Sequence, residues 1–312
     1  MAIKNKSAIF FTLTAIALLS LALVSFSIFS VVKERDSVVK RVQTLNSFVF
    51  SIEKDLQRKL FISGFRIIFL FEKRILENGT YISDSETVFN ESFFSGTIEG
   101  KLQGDEVTLM QGVTFPEIKD DLEKTASKVN LKLSLENPVL SVYHKSPWFV
   151  HLRLVTNFSV TDTTNLASWN KTLVTEADVP VEGFEDPFYI VGTGGKIFQK
   201  INQTPYTTFV VGNDVSNLED HLNKSYYIAT NLSPSFLNRL EGNFTASDFG
   251  IESLVYLPDL AAQGLNIKDK SVVDSIYFGT SNPPTKNVQG MPSWFKIDAA
   301  HYETYNVSGL VY

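Results

Sequence analysis

The chain has 312 residues, 44% of them apolar and 20% charged, with a net charge of −6 and no cysteine. This balance excludes a disordered chain, and the missing thiols exclude a disulfide framework, a cysteine-ligated metal or cluster and a cysteine nucleophile. Charge is unevenly placed: residues 1–78 carry 12 Lys+Arg against 6 Asp+Glu, and the rest carry 16 against 28, a basic start and an acidic body that argue against a nucleic-acid partner.

The chain opens with a basic leader, residues 1–6, MAIKNK. Ser7 to Val32 then form 26 residues with no charge, Gly or Pro. As a helix rising ~1.5 Å per residue they span about 39 Å, enough for a hydrocarbon core of ~30 Å. This predicts a transmembrane helix over 7–32. A cleaved secretory signal is the competitor, but its apolar region runs only about 7–15 residues and ends in a small-x-small site. Lys4 and Lys6 flank the run on one side, and Lys33, Arg35, Lys40 and Arg41 on the other. That count slightly favours the wrong orientation for a surface protein, although large domains translocate largely regardless of it.

Sequons decide the expected sidedness. N-x-S/T begins at Asn5, Asn78, Asn90, Asn157, Asn170, Asn202, Asn223, Asn231, Asn243 and Asn306. The composition would give about 3 or 4 by chance. Nine of the ten lie beyond the apolar run, so the expectation is a cytoplasmic N-terminus and an N-glycosylated extracellular C-terminal domain.

Residues 33–78 read as an amphipathic stalk helix. Val38, Val42, Leu45, Val49, Ile52 and Leu56 recur at spacings of four and three, a heptad-like seam. It is short for a free coiled coil, so it should pack on the protein's own sheet or on a neighbouring copy. LFISGFRIIFLF, residues 60–71, is apolar nearly all round, as a buried helix is. Glu77-Asn78-Gly79 is a helix stop, and no Pro precedes Pro116. One helix over 7–77 follows, roughly 100 Å if straight.

The remainder divides into an α+β unit over 79–181 and a β-rich unit over 182–312. TVFNESFF and EVTLM read as short strands. Thr114, Pro116 and Glu117 form a capping box before a helix over 116–128. Val129 to Leu135 and Trp148 to Val160 alternate as paired antiparallel strands, with Asn137-Pro138 and Ser146-Pro147 as turns. Further on, FYIVG, TTFVVG, SYYIAT and SVVDSIYFG are strand-like, and Gly192-Thr193-Gly194-Gly195 a turn. Ser233-Pro234 can start a short helix to Leu240, and Ser253 to Leu265 is a helix or a loop. The fold class is α+β: a long N-terminal transmembrane helix continuing into an amphipathic stalk, then an antiparallel-β-rich ectodomain with a few short helices.

The basic leader, the apolar segment SAIFFTLTAIALLSLALVSFSIF, its unbroken amphipathic continuation and a β-rich head together resemble a type IV pilin-like protein with a class III leader. The sequons and the lack of Cys look archaeal. VEGFEDPFYIV, SFLNRLEGNF and GIESLVYLPDL resemble stretches of archaeal membrane proteins without an established activity. The architectural likeness covers about 77 residues. Lys6 stands where that pattern has a small residue before the cleavage point. After cleavage there, the fifth residue would be Phe11, where major pilins carry a Glu. The departure resembles minor or tip pilins, or a plain signal anchor.

Residues that could carry chemistry are few. His144, His151, His221 and His301 make no metal-ligand spacing, and His151 reads as solvated on the polar side of its strand. Ser37-x-x-Lys40 and Ser51-x-x-Lys54 lie in the stalk without partner motifs. Glu182, Glu185 and Asp186 are the closest acidic group, and a polar turn explains them. No catalytic, cofactor-binding or metal-ligating residue is expected. The leading expectation is a non-enzymatic cell-surface protein, a pilin-like structural or minor filament subunit whose partners are the lipid bilayer and other copies or pilin-like subunits. The alternatives are an anchored adhesin or glycan binder, motivated by Trp294, Tyr302 and Tyr305, and an anchored hydrolase using the acidic turn.

Overall fold

A computed structural model describes residues 4–102, 104, 106–164 and 167–312. Met1, Ala2 and Ile3 of the basic leader lie outside the described residues. The architecture is α+β, with a long apolar N-terminal helix, antiparallel sheets and short helices. Two compact units are each assembled from separated segments. The first takes Met1–Lys54, Asp121–Glu136 and Asn157–Thr172; the second takes Asp55–Asp120, Asn137–Thr156 and Leu173–Tyr312.

Helix α1 runs unbroken over Lys4–Asn78 because no Pro interrupts it and its one early glycine, Gly64, has a use. A Cβ at Gly64 would overlap Leu152 of the sheet and lie 2.9 Å from Val179, so the missing side chain lets helix and sheet backbones approach. The heptad-like seam is buried from Leu45 onward, through Val49, Ile52, Leu56 and Leu60, whereas Val38 and Val42 are exposed. In the first unit Arg41 pairs with Asp162 at 3.6 Å and Lys171 with Glu53.

The main sheet has order β1-β2-β3 over Leu131–Ser146, Phe149–Asp162 and Ser168–Pro180. A short connection pairs β2 with β3, Asp162 N–H donating to the Ala167 carbonyl at 2.9 Å, and at the far end of that pair Val181 N–H donates to the Trp148 carbonyl at 3.0 Å. Strand β1 alternates buried Leu131, Leu133 and Leu135 with more exposed neighbours, the pattern of a half-covered sheet. It continues through Asn137-Pro138, where a turn is expected: Asn137 takes a positive φ of 50°, and the strand runs on past it to Ser146. Strand β3, Ser168–Pro180, has no counterpart among the expected strands. Its burial alternates from Leu173 through Thr175 and Ala177 to Val179, but only half of those positions are strongly apolar.

Several segments expected as strands are helices. TVFNESFF lies in α2, Ser85–Ser95, and EVTLM is α3, Glu106–Met110. The buried set of α2, Ser85, Val88, Phe89, Ser92 and Phe93, has helical spacing. Asp84 caps it by accepting from Thr87 N–H at 3.0 Å, and Gly96 closes it at φ 74°. Helix α4, Phe115–Ser127, carries the expected capping box: Thr114 Oγ1 donates to Glu117 Oε2 at 2.7 Å, and Glu117 N–H returns to Thr114 Oγ1 at 3.4 Å. FYIVG belongs to α5, Pro187–Gly192, because Asp186 caps it and Pro187 presets its first turn. The glycines after α5 turn the chain at positive φ.

The rest of the second unit is built from short pieces: α6 Ser216–Asn223, β4 Tyr227–Ala229 paired antiparallel with β5 Ile251–Ser253, α7 Phe236–Leu240, α8 Leu257–Ala262, α9 Asp274–Phe278, and β6 Thr285–Asn287 paired antiparallel with β7 Lys296–Asp298. Ser235, not Ser233, caps α7. TTFVVG forms no named strand, and the middle of SVVDSIYFG is α9. Leu218, Val255, Tyr277, Phe295 and Val307 belong to one apolar core here.

Candidate functional site

Helix α1 is, among the described residues, the one helix long and apolar enough to cross a membrane, and its most apolar window is unburied. Fifteen large apolar side chains between Ile9 and Val32 are exposed, Phe10 and Phe26 at 74% and 73%. Leaving so many in water costs on the order of 20 kcal/mol, at about 1.5–3 kcal/mol for each full burial forgone. That exceeds the net stability of an ordinary domain. By length and composition this apolar cylinder is a candidate membrane span, and a signal sequence near an N-terminus passes the same test.

The nine sequons beyond this segment fall on different elements. Asn78, Asn157, Asn170, Asn202, Asn223, Asn231, Asn243 and Asn306 are exposed. Asn90 is half-buried on α2, where its Nδ2 donates to the Glu86 carbonyl at 3.0 Å. Its hydroxyl partner, Ser92, is buried and donates to Val88. Asn306 sits at φ 56° and its Oδ1 accepts from Phe209 N–H at 3.2 Å. Asn157 and Asn170 line one open depression on the sheet with Ser134, Glu136, Ser159 and Thr172.

The acidic turn resolves into separate structural jobs. Glu182 accepts from Gln203 N–H at 3.2 Å, and Glu185 bridges by backbone to Lys200. Asp186 is fully buried and accepts from Arg239 Nη1 at 2.6 Å, Tyr227 Oη at 2.7 Å and Phe188 N–H at 2.9 Å. The Arg239 fork also spans Asp274, at 3.0 and 3.1 Å, and donates to the Ile251 carbonyl. Ser253 N–H and Oγ both donate to Asp274 at 2.8 Å. Burial works against the guanidinium's charge, but Asp186 and Asp274 outweigh it and strengthen its hold on the proton. Sequence reasoning missed Arg239 and Asp274, because nothing in FLNRL or SVVDS marks a buried charge.

A second buried group adjoins through the next residue of β5. His301 Nδ1 lies 2.8 Å from Asp298, and Nε2 lies 3.2 Å from Glu252. Ser233 and Ser271 donate to those carboxylates at 2.6 and 2.8 Å. Burial disfavours the imidazolium, yet Asp298 and Glu252 hold it charged up to about 10. On α1, burial together with the Glu185 and Asp186 charges raises Glu72 to about 9, so it is neutral at pH 7. These groups are closed to solvent: Asp186, Arg239, Glu252 and Asp274 are 0% exposed. Their chemistry is to fix short segments that regular hydrogen bonding does not hold.

The expected solvated role of His151 is corrected. It is buried, with Nδ1 2.6 Å from Asp178 and its ring packed on Tyr143. The strand face is polar, but long neighbouring side chains cover it. Burial holds His221 neutral, down at about 3. Of the three aromatics expected at the surface, Tyr305 is corrected to fully buried, while Trp294 and Tyr302 are partly buried against the apolar core.

Comparison with known proteins finds no matching family model, no matching curated protein and no matching solved structure.

Proposed function

We propose that this chain is a non-enzymatic, single-pass membrane-anchored cell-surface protein, a pilin-like structural or minor filament subunit with a cytoplasmic N-terminus and a glycosylated extracellular domain. The carrying observation is the row of fifteen exposed apolar side chains on a helix that continues, without a break, into a segment buried against the protein's own sheet. Such a helix partitions into lipid while its far half is held by the folded body. The density of sequons, most with an exposed asparagine, favours that sidedness, since glycan transfer acts on exported chains. A secretory signal is the rival for this segment; its apolar region is shorter, about 7–15 residues.

Alkaline extraction of native membranes followed by N-terminal sequencing tests the reading. The expected result is a chain retained in the membrane pellet, starting at Met1 for a simple anchor or at Ser7 for pilin-type processing. A soluble chain starting beyond Val32 overturns it. Antibody labelling of intact cells then separates filaments from a dispersed anchor. With Tyr305 in the core, the adhesin reading loses one of its three aromatics and keeps the partly exposed Trp294 and Tyr302.

A further inference from the structure

The geometry points to a second membrane contact: the end of the first unit nearest the apolar helix rests on the anionic headgroups of the bilayer that α1 crosses, through Arg35, Lys40, Lys124, Lys128 and Lys132. This inference rests on the anchored reading above and names the surface that the anchored body touches.

Two contacts orient the sheet along α1. Asp162, the last residue of β2, meets Arg41, and Lys171, near the start of β3, meets Glu53. Arg41 and Glu53 are twelve residues apart, about 18 Å of helix. The sheet end formed by the last residues of β2 and the first of β3 therefore lies toward the low-numbered, apolar end of α1. The α4–β1 turn joins it there, with Thr163 N–H donating to the Asn130 carbonyl at 3.1 Å. Arg41 lies nine residues past Val32, about 14 Å along the axis. Headgroups fill roughly 5–7 Å outside the hydrocarbon, and the 26-residue apolar run exceeds a ~30 Å core by about 9 Å. A tilt of about 40°, which fits the whole run to the core, lowers Arg41 to about 10 Å above the hydrocarbon, and the sheet end, which extends past Arg41 toward the apolar segment, then reaches the headgroups.

The chemistry of this end is unlike that of the rest. Residues 33–41, 123–132 and 162 hold seven Lys or Arg against Glu34, Asp36, Glu123 and Asp162, whereas residues 79–312 as a whole hold 16 against 28. Lys124, Lys128 and Lys132 are exposed, as are Val129 at 40% and Trp169 at 42%. Cations beside an exposed apolar side chain and an indole match the headgroup layer, where amphipathic rings and lysine stems lie between oil and water. Near an anionic surface each lysine adds about 1 kcal/mol, close to fivefold in occupancy, within a screening length of ~8 Å.

The chain has no cysteine, so a single introduced thiol is unique. Full-length protein carrying Thr163→Cys, or in a second preparation Val129→Cys, is labelled with a fluorophore. It is reconstituted in vesicles of phosphatidylcholine with about one-third phosphatidylglycerol and a headgroup spin-label quencher. Thr172→Cys, higher on the same sheet, is the reference. The expected result is several-fold stronger quenching at 163 and 129 than at 172. That excess disappears in purely zwitterionic vesicles and in the Lys128→Glu/Lys132→Glu background. Equal quenching at all three positions, in protein that floats with the vesicles, overturns the contact and leaves the anchor intact. Protein that does not float removes the anchor and the contact together.

Discussion

Arg239 holds Asp186 and Asp274 away from water at 0% exposure. Removing the cation strands two carboxylates where hydration cannot reach them. Arg239→Leu should destabilise the chain by about 3–5 kcal/mol, read from the urea midpoint of tryptophan fluorescence in detergent. Combining it with Asp186→Asn and Asp274→Asn should recover part of the loss, because the stranded charges go. Glu72 and His301 set a pH dependence with one sign. Glu72 is raised from about 4.5 to about 9, so its contribution is whole below pH 4.5 and is lost as pH climbs toward 9. His301 is raised from 6.5 to about 10, so its contribution is whole below pH 6.5 and is lost as pH climbs through 10. The midpoint should fall between pH 7 and 9.5, and Glu72→Gln, which keeps the neutral shape, should flatten that slope by on the order of 1 kcal/mol per pH unit. A wild-type midpoint that holds steady over that range would refute both assignments.

Helix α1 was legible over its whole length, because absence of charge and then a four-three seam are local signals. The capping box of α4 was legible for the same reason: donor and acceptor lie three residues apart. Removing the hydroxyl in Thr114→Ala should cost about 1 kcal/mol. The short strands expected at 87–94 and 188–192 were misread because β-branched and aromatic residues favour pleated structure on average. Asp84 with Gly96, and Asp186 with Pro187, cap helices at their ends, and packing of one face outweighed propensity. Gly64 tests the approach of helix and sheet. In an exposed helix replacing Gly by a larger residue gains stability, whereas Gly64→Val should lose about 1–3 kcal/mol here, since Leu152 and Val179 occupy the space. A neutral or stabilising result in the same urea assay would mean that the backbones do not approach so closely.

The nine sequons beyond the apolar run are equivalent as strings and unequal once folded. Peptide mass spectrometry of protein from native membranes should find glycan on exposed sites such as Asn157 and Asn170. It should find Asn90 bare, because its amide is tied to Glu86 within a helix and Ser92 is buried. Glycan on Asn90 would show that transfer precedes the folding of α2.

Nearest-neighbour chemistry settled the apolar cylinder, the stalk seam from Leu45 onward, the first half of β1 with most of β2, and the α+β class. Each depends on residues a few positions apart, whose periodicity or capping survives without the fold. The buried charge groups did not announce themselves. Arg239 meets Asp186 across 53 residues and Asp274 across 35, and a charged side chain reads as solvated until distant segments close over it. Only tertiary packing decides which polar groups lose water, and with that which carboxylates stay protonated and which asparagines stay open.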